Sequence, residues 1–194
     1  MDQNQLGKRI LRELFDLVKI FVVCYIVVMA LTNFVVKPIR VEGSSMYPTL
    51  KDGEFGLTNV FSVKFQSVDR YDVVIIYNEE RGEYWVKRVI GIPGDTVESK
   101  KDVLYLNGEP VDQSFLDQNY VKDMQQEGQF TTDFEKVTLQ EGEYWLMGDN
   151  RPRSEDSRIH GPFKESELVG KDVLVVYPFD EMKYVRYSED TSEE

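Results

Sequence analysis

Leu17-Val18-Lys19-Ile20-Phe21-Val22-Val23-Cys24-Tyr25-Ile26-Val27-Val28-Met29-Ala30-Leu31-Thr32-Asn33-Phe34-Val35-Val36 is an apolar run of twenty residues, broken only by Lys19 near its start and Thr32-Asn33 near its end. As a helix rising about 1.5 Å per residue it reaches roughly 30 Å, the thickness of a hydrocarbon core. Ile20 to Leu31 carries no polar stripe, so a buried core helix fits less well than a membrane span, and Lys19 lies where its ammonium can snorkel to the interface. Lys8, Arg9 and Arg12 precede the run and favour an N-terminus inside and a body outside, a signal that Lys37 and Arg40 weaken without reversing. The run is long for a cleavable leader and no small-x-small site follows it, so it reads as an uncleaved signal-anchor. The expected organisation is a cytoplasmic N-terminus over 1–16, a span over 17–36, an extracytoplasmic domain over 37–187 and an acidic, disordered tail over 188–194.

Beyond the span, helical periodicity is scarce. Short runs rich in Val, Ile, Tyr and Phe recur between turn signals: Ile39–Glu42, Glu54–Phe61, Asp72–Tyr77, Tyr84–Ile92, Val103–Leu106, Glu143–Met147 and Val173–Tyr177. Asn107-Gly108 marks a hairpin. The body is therefore mainly β, a partly closed antiparallel sheet system behind one N-terminal transmembrane helix. Residues 112–136 are polar with scattered aromatics and read as an insertion of unassigned shape.

Charge and cysteine narrow the chemistry. Residues 1–37 hold five Lys/Arg against three Asp/Glu, which leaves −14 on the remainder of a chain whose net charge is −12. A body that acidic is repelled by phosphate backbones, so nucleic acid is excluded as a partner. The single cysteine, Cys24, lies in the span, which removes both an internal disulfide and a body thiol. One histidine, His160, is too few for a histidine metal cluster, and no metal or cofactor is expected.

Three blocks carry candidate chemistry: Gly43-Ser44-Ser45-Met46-Tyr47-Pro48-Thr49-Leu50, then Lys87-Arg88-Val89-Ile90-Gly91-Ile92-Pro93-Gly94-Asp95, then Gly148-Asp149-Asn150-Arg151 with Ser154-Glu155-Asp156-Ser157-Arg158. A serine is a poor nucleophile until a base takes its proton. A lysine in a strand that is apolar on both faces, as in Glu83–Gly91, loses solvation, and its pKa falls toward the range a general base needs. Ser45 with Lys87 is a coherent pair on those grounds.

In residues and order the three blocks resemble the bacterial type I signal peptidases, membrane-anchored serine proteases with a lysine base. The resemblance implies that Ser45 is the nucleophile, Lys87 the base, Ser154 a hydrogen-bond partner that orients the Lys87 amine, and Asp156 with Arg158 a supporting ion pair. It implies acyl transfer on secretory preproteins, cut after an Ala-x-Ala-like segment that adds alongside the strands bearing Ser45 and Lys87, and residence in the lipid bilayer of the bacterial plasma membrane. Ile39, Val41, Gly43, Trp85 and Val86 are the expected substrate contacts. Departures stand at Pro152-Arg153, where Asp-Asn is common, at Tyr71, and at Gly43, where some members place an oxyanion-binding serine; here the Ser45 N–H would have to serve. A self-cleaving serine–lysine protease of the repressor type lacks support from an acidic, anchored chain. A catalytically silent, membrane-tethered β domain that binds partners is the alternative.

Overall fold

The computed structural model describes residues 3–79 and 81–187, so the tail expected over 188–194 lies outside the described residues. Helix α1, Gln3–Phe34, contains a 24-residue stretch, Leu11–Phe34, of mean hydropathy 2.5 with none of its residues buried. Among the described residues it is the one helix long and apolar enough to cross a membrane. It passes directly into β1, Val36–Arg40, whose edge position in the sheet tolerates Pro38.

The main sheet has eight strands. Its path runs β1, β2 (Phe55–Asn59), β11 (Leu168–Tyr177), β3 (Val73–Asn78), β4 (Glu83–Gly91), β9 (Glu143–Met147) and β10 (Phe163–Lys164), with β12 (Lys183–Val185) against β11. All these pairings are antiparallel. The curl arises at a bulge in β11. Its residues up to Lys171 pair with β3, whereas Val173–Val175 pair with β12, and Asp172 between them takes φ +60°.

A second sheet orders β7 (Glu109–Pro110), β6 (Val103–Leu106), β5 (Thr96–Lys100) and β8 (Phe134–Thr138), so the antiparallel β body expected from the sequence is built of two sheets. The Asn107-Gly108 turn joins β6 to β7 as expected, with both residues at positive φ. Residues 112–136 contain α3, Gln118–Glu127, and lead into β8. Asp95 ties the two sheets: it receives the Arg70 fork at 2.9 and 2.6 Å, the Ile92 N–H and the Asn107 amide.

One apolar cluster lies under β1, β3 and β11 and takes in Met46 and Leu50, both with essentially no exposed surface. A second packs Val74, Ile76, Val89 and Leu146, and a third joins Ile90 and Met147 to the smaller sheet. A short helix, α2 (Val60–Phe65), abuts the end of α1 through the Val60 N–H on Val35 O at 2.9 Å. Its Phe61 and Phe65 rings, 4.5 Å apart, are exposed, while Val63 packs inward.

Candidate active site

Ser45 stands on the turn that follows β1. Met46 and Leu50 anchor this turn by burying their side chains in the core below it. From the other side Asn150 holds it: its backbone N–H donates to Ser45 O at 2.9 Å and its side-chain amide to Ser44 O at 2.9 Å. Lys87 lies in the middle of β4, and its Nζ is 2.9 Å from Ser45 Oγ. No other amine or imidazole is hydrogen-bonded to that hydroxyl among the described residues, and the exposed His160 packs on the Trp85 ring instead.

Lys87 is 3% exposed. Burial pushes its pKa down from 10.5 to about 8, and the nearby Arg158 charge acts in the same direction, while Asp156, Glu155 and Asp149 oppose. At pH 8 about half of such amines are neutral, against roughly one in 300 at the ordinary value.

Asp149 fastens the three sequence blocks to one another. It accepts a two-pronged bond from Arg88 at 2.8 and 2.7 Å and a bond from the Thr49 hydroxyl at 2.6 Å. The Arg88–Asp149 pair is almost fully buried, which makes it a positional lock whose halves depend on each other. Gly148 lies so close to Ser154 and to the Ser45 carbonyl that a Cβ would overlap Ser154 Oγ and Ser45 O and stand 2.6 Å from Ser154 Cβ. Arg151, buried below, donates to Gly148 O and Thr131, and burial pushes its pKa down to about 10.

Asp156 and Arg158 form a two-pronged pair at 2.8 and 2.8 Å, and Asp156 also accepts the Gly148 N–H. Burial pushes the Asp156 carboxyl up, but the Arg158 bonds and charge outweigh it and hold the carboxyl below its ordinary range. Ser154 departs from the arrangement the motif implies. Its Oγ is buried without a hydrogen-bond partner, turned onto Gly148 and not bonded to the Lys87 amine.

A groove of about 330 Å³ opens over Ser45 and Lys87. Val41, Gly43, Trp85 and Val86 line it; Ile39, which shares the core cluster with Val41, does not. β4 is buried from Lys87 onward, whereas Glu83 and Tyr84 are exposed and Trp85 and Val86 half-buried, so the burial expected on both faces holds for its second half. β9 pairs with β4 from Arg88 onward, so the edge over residues 83–87 is left open beside the groove, and Tyr84 is half exposed. Gly43, at φ +81°, spends its N–H on Asp52, whereas the Ser45 N–H has no hydrogen-bond acceptor among the described residues.

Sequence reasoning singled out Gly148-Asp149-Asn150-Arg151 as a block but not what its members hold. A buried Arg–Asp lock leaves no periodic signal. Tyr47 and Tyr120, whose rings meet edge to face at 5.1 Å beside Ser45, were equally hidden.

Comparison with known proteins sets this geometry in a lineage. The family model described as signal peptidase, peptidase S26, matches residues 14–177, and the chain belongs to that family, the bacterial type I signal peptidases. Its similarity to individual members is close to full length. Signal peptidase I S of Bacillus subtilis (strain 168) is 38% identical over 175 residues, 89% of this chain and 94% of the relative. Signal peptidase IB of Staphylococcus aureus (strain MRSA252) is 35% identical, with 89% and 94% covered. The crystal structure of a signal peptidase I from Enterococcus faecalis V583 superposes with a TM-score of 0.50 at 33% identity, over 55% of this chain and 97% of that one.

Proposed function

We propose that the protein is a membrane-bound endopeptidase that removes signal peptides from secretory preproteins after an Ala-x-Ala-like site, with Ser45 as nucleophile and Lys87 as general base. The observation that carries this reading is the 2.9 Å approach of a buried, pKa-lowered Lys87 amine to the Ser45 hydroxyl. Neutral Lys87 takes the Ser45 proton as Oγ attacks the carbonyl before the scissile bond. The resulting ammonium returns that proton to the departing amine, which leaves an ester on Ser45. Lys87, neutral again, takes a proton from water, the hydroxide attacks the ester, and the proton passes back to Oγ as the acid leaves. The uncommitted Ser45 N–H is the donor available to the oxyanion.

The substrate enters as an added strand on the open β4 edge over residues 83–87, facing Val41 and Gly43 across the groove. Half-buried Trp85 and Val86 line this groove, whose small volume suits small side chains. Asp156 and Arg158 hold the loop that carries Ser154, and Ser154 acts by packing Gly148 against the Ser45 turn. The Leu11–Phe34 stretch anchors the enzyme with its N-terminus inside and residues 37–187 outside.

The test is cleavage of a preprotein with an Ala-x-Ala site by detergent-solubilised protein, beside Ser45→Ala and Lys87→Ala. Trimming at that site by the wild type alone supports the assignment. A wild type that cuts nothing would leave a tethered binding domain as the account. Full activity in Lys87→Ala would refute the base.

A further inference from the structure

Helix α3 buries none of its residues completely, so packing alone does not account for its position. Asp117 caps it by accepting the Asn119 and Tyr120 N–H groups at 2.9 Å each. Its half-buried Tyr120 is the side chain that reaches the active site. The ring meets Tyr47 edge to face at 5.1 Å, and the hydroxyl donates to Asn150 Oδ1 at 3.1 Å.

The Ser44 carbonyl, which can only accept, fixes which way the Asn150 amide faces, and the Tyr120 hydroxyl holds the oxygen end that this leaves toward α3. With its oxygen toward Tyr120, the NH₂ group is aimed at Ser44 O, 2.9 Å away. The flipped amide would set two oxygens against each other at Ser44. The Asn150 backbone N–H holds Ser45 O at the same time. The carbonyls on either side of the Ser45 N–Cα–C unit are thus both pinned by one asparagine, and the free end of that asparagine is tethered by a tyrosine on the helix.

We propose that Tyr120 is a positioning residue, which holds the Ser44–Ser45 turn in register with Lys87 through the Asn150 amide. Residues 112–136 thereby serve the reaction although none of them hydrogen-bonds to the Ser45 or Lys87 side chain. The kinetic half of this inference rests on the proposed peptidase reading; the conformational half does not.

The experiment uses the full chain in detergent and compares Tyr120→Phe, Tyr120→Ala and Lys122→Ala, the last an exposed position on the same helix. Amide hydrogen exchange over residues 44–47, single-turnover acylation of the reference preprotein, KM and thermal midpoint are read for each. Loss of one neutral hydrogen bond predicts acylation slower by about two- to tenfold in Tyr120→Phe. Exchange over 44–47 should quicken, with KM within about twofold and the midpoint unmoved, because α3 adds little buried surface. Tyr120→Ala, which also loses the ring contact, should fall further, and Lys122→Ala should match the wild type. Unchanged exchange or unchanged acylation in Tyr120→Phe overturns the proposal. So does a lowered midpoint with quicker exchange throughout the body, which marks a merely structural residue. If the wild type itself cuts nothing, the peptidase reading fails, and exchange over 44–47 still decides whether Tyr120 holds the turn.

Discussion

Gly148→Ala should disable the enzyme far more than it unfolds it. The added methyl would overlap the Ser45 carbonyl and Ser154 Oγ and meet Ser154 Cβ at 2.6 Å, where carbon atoms ordinarily sit about 3.5–4.0 Å apart. Two of those neighbours are a backbone oxygen and a Cβ, neither of which is the free end of a flexible side chain, so the turn or the loop must retreat by about 1 Å. A displacement of that size between nucleophile and base costs on the order of 10²-fold in rate. The strain itself costs roughly 1–3 kcal/mol of stability. The assay is kcat and KM on the reference preprotein together with a urea unfolding curve. A second variant, Gly148→Ala with Ser154→Gly, clears the contacts to Ser154 but leaves the one to Ser45 O. It should regain stability but not kcat. A Gly148→Ala enzyme with wild-type kcat would refute the claim that contact with Gly148 sets the nucleophile.

Four further outcomes follow from the same geometry. Activity should rise along a single limb with a midpoint near pH 8, as Lys87 loses its proton, and a flat profile between pH 6 and 10 would count against the base. A lysine whose pKa is lowered by folding weakens the fold below its folded pKa of about 8, and that cost disappears as pH climbs to its unfolded value. Lys87→Met should therefore abolish activity yet stabilise the body at pH 7 by up to about 3 kcal/mol, the gain shrinking toward pH 10.5; equal unfolding midpoints at both pH values would refute this. Asp149→Asn leaves the Arg88 guanidinium buried and poorly matched, so urea curves should show a loss of about 3–5 kcal/mol, and a loss below 1 would refute the lock. Gly43→Ser meets no atom within 4 Å but must hold φ +81°, so it should cost about 1–2 kcal/mol of stability while raising kcat by adding an oxyanion donor; a fall in kcat would exclude that donor position.

Much of this architecture can be read from residue order. The expected runs Val103–Leu106 and Glu143–Met147 coincide with β6 and β9, and Asp72–Tyr77 differs from β3 by one residue at each end. Signals failed where tertiary context overrode local pattern. β1 starts at Val36, ahead of the expected Ile39, because an edge strand accommodates proline. β11 starts five residues before the expected Val173, hidden by Gly170, Lys171 and the bulged Asp172, which break alternation. Thr96–Lys100 looks polar, yet Val97 and Ser99 face inward and their neighbours outward. At the site, a serine that needs a base and a lysine desolvated in an apolar strand make Ser45 and Lys87 a coherent pair, and the three-block resemblance implies their roles. The rotation of Ser154 onto Gly148, the inward turn of Ile39 and the reach of Tyr120 to Asn150 depend on how separate segments pack. No spacing in the chain encodes them.

The passage from α1 to β1 has a consequence for the search that precedes cleavage. Helix and strand meet at Val35 and Val36 without a linker, and the Val60 N–H clamps that joint. Ser45 lies nine residue steps beyond Val36, and at about 3.3 Å per step these span at most roughly 30 Å. On the proposed reading the reactive hydroxyl therefore rides at a nearly constant altitude over the lipid surface and cannot wander like a bead on a string. Encounter becomes a two-dimensional problem, in which lateral diffusion replaces diffusion through bulk water and the local concentration of a membrane-inserted substrate is raised by confinement. The same stiffness works as a gauge. Bonds that hang at the matching height are offered to Ser45, and identical sequences displayed much farther from the bilayer go uncut.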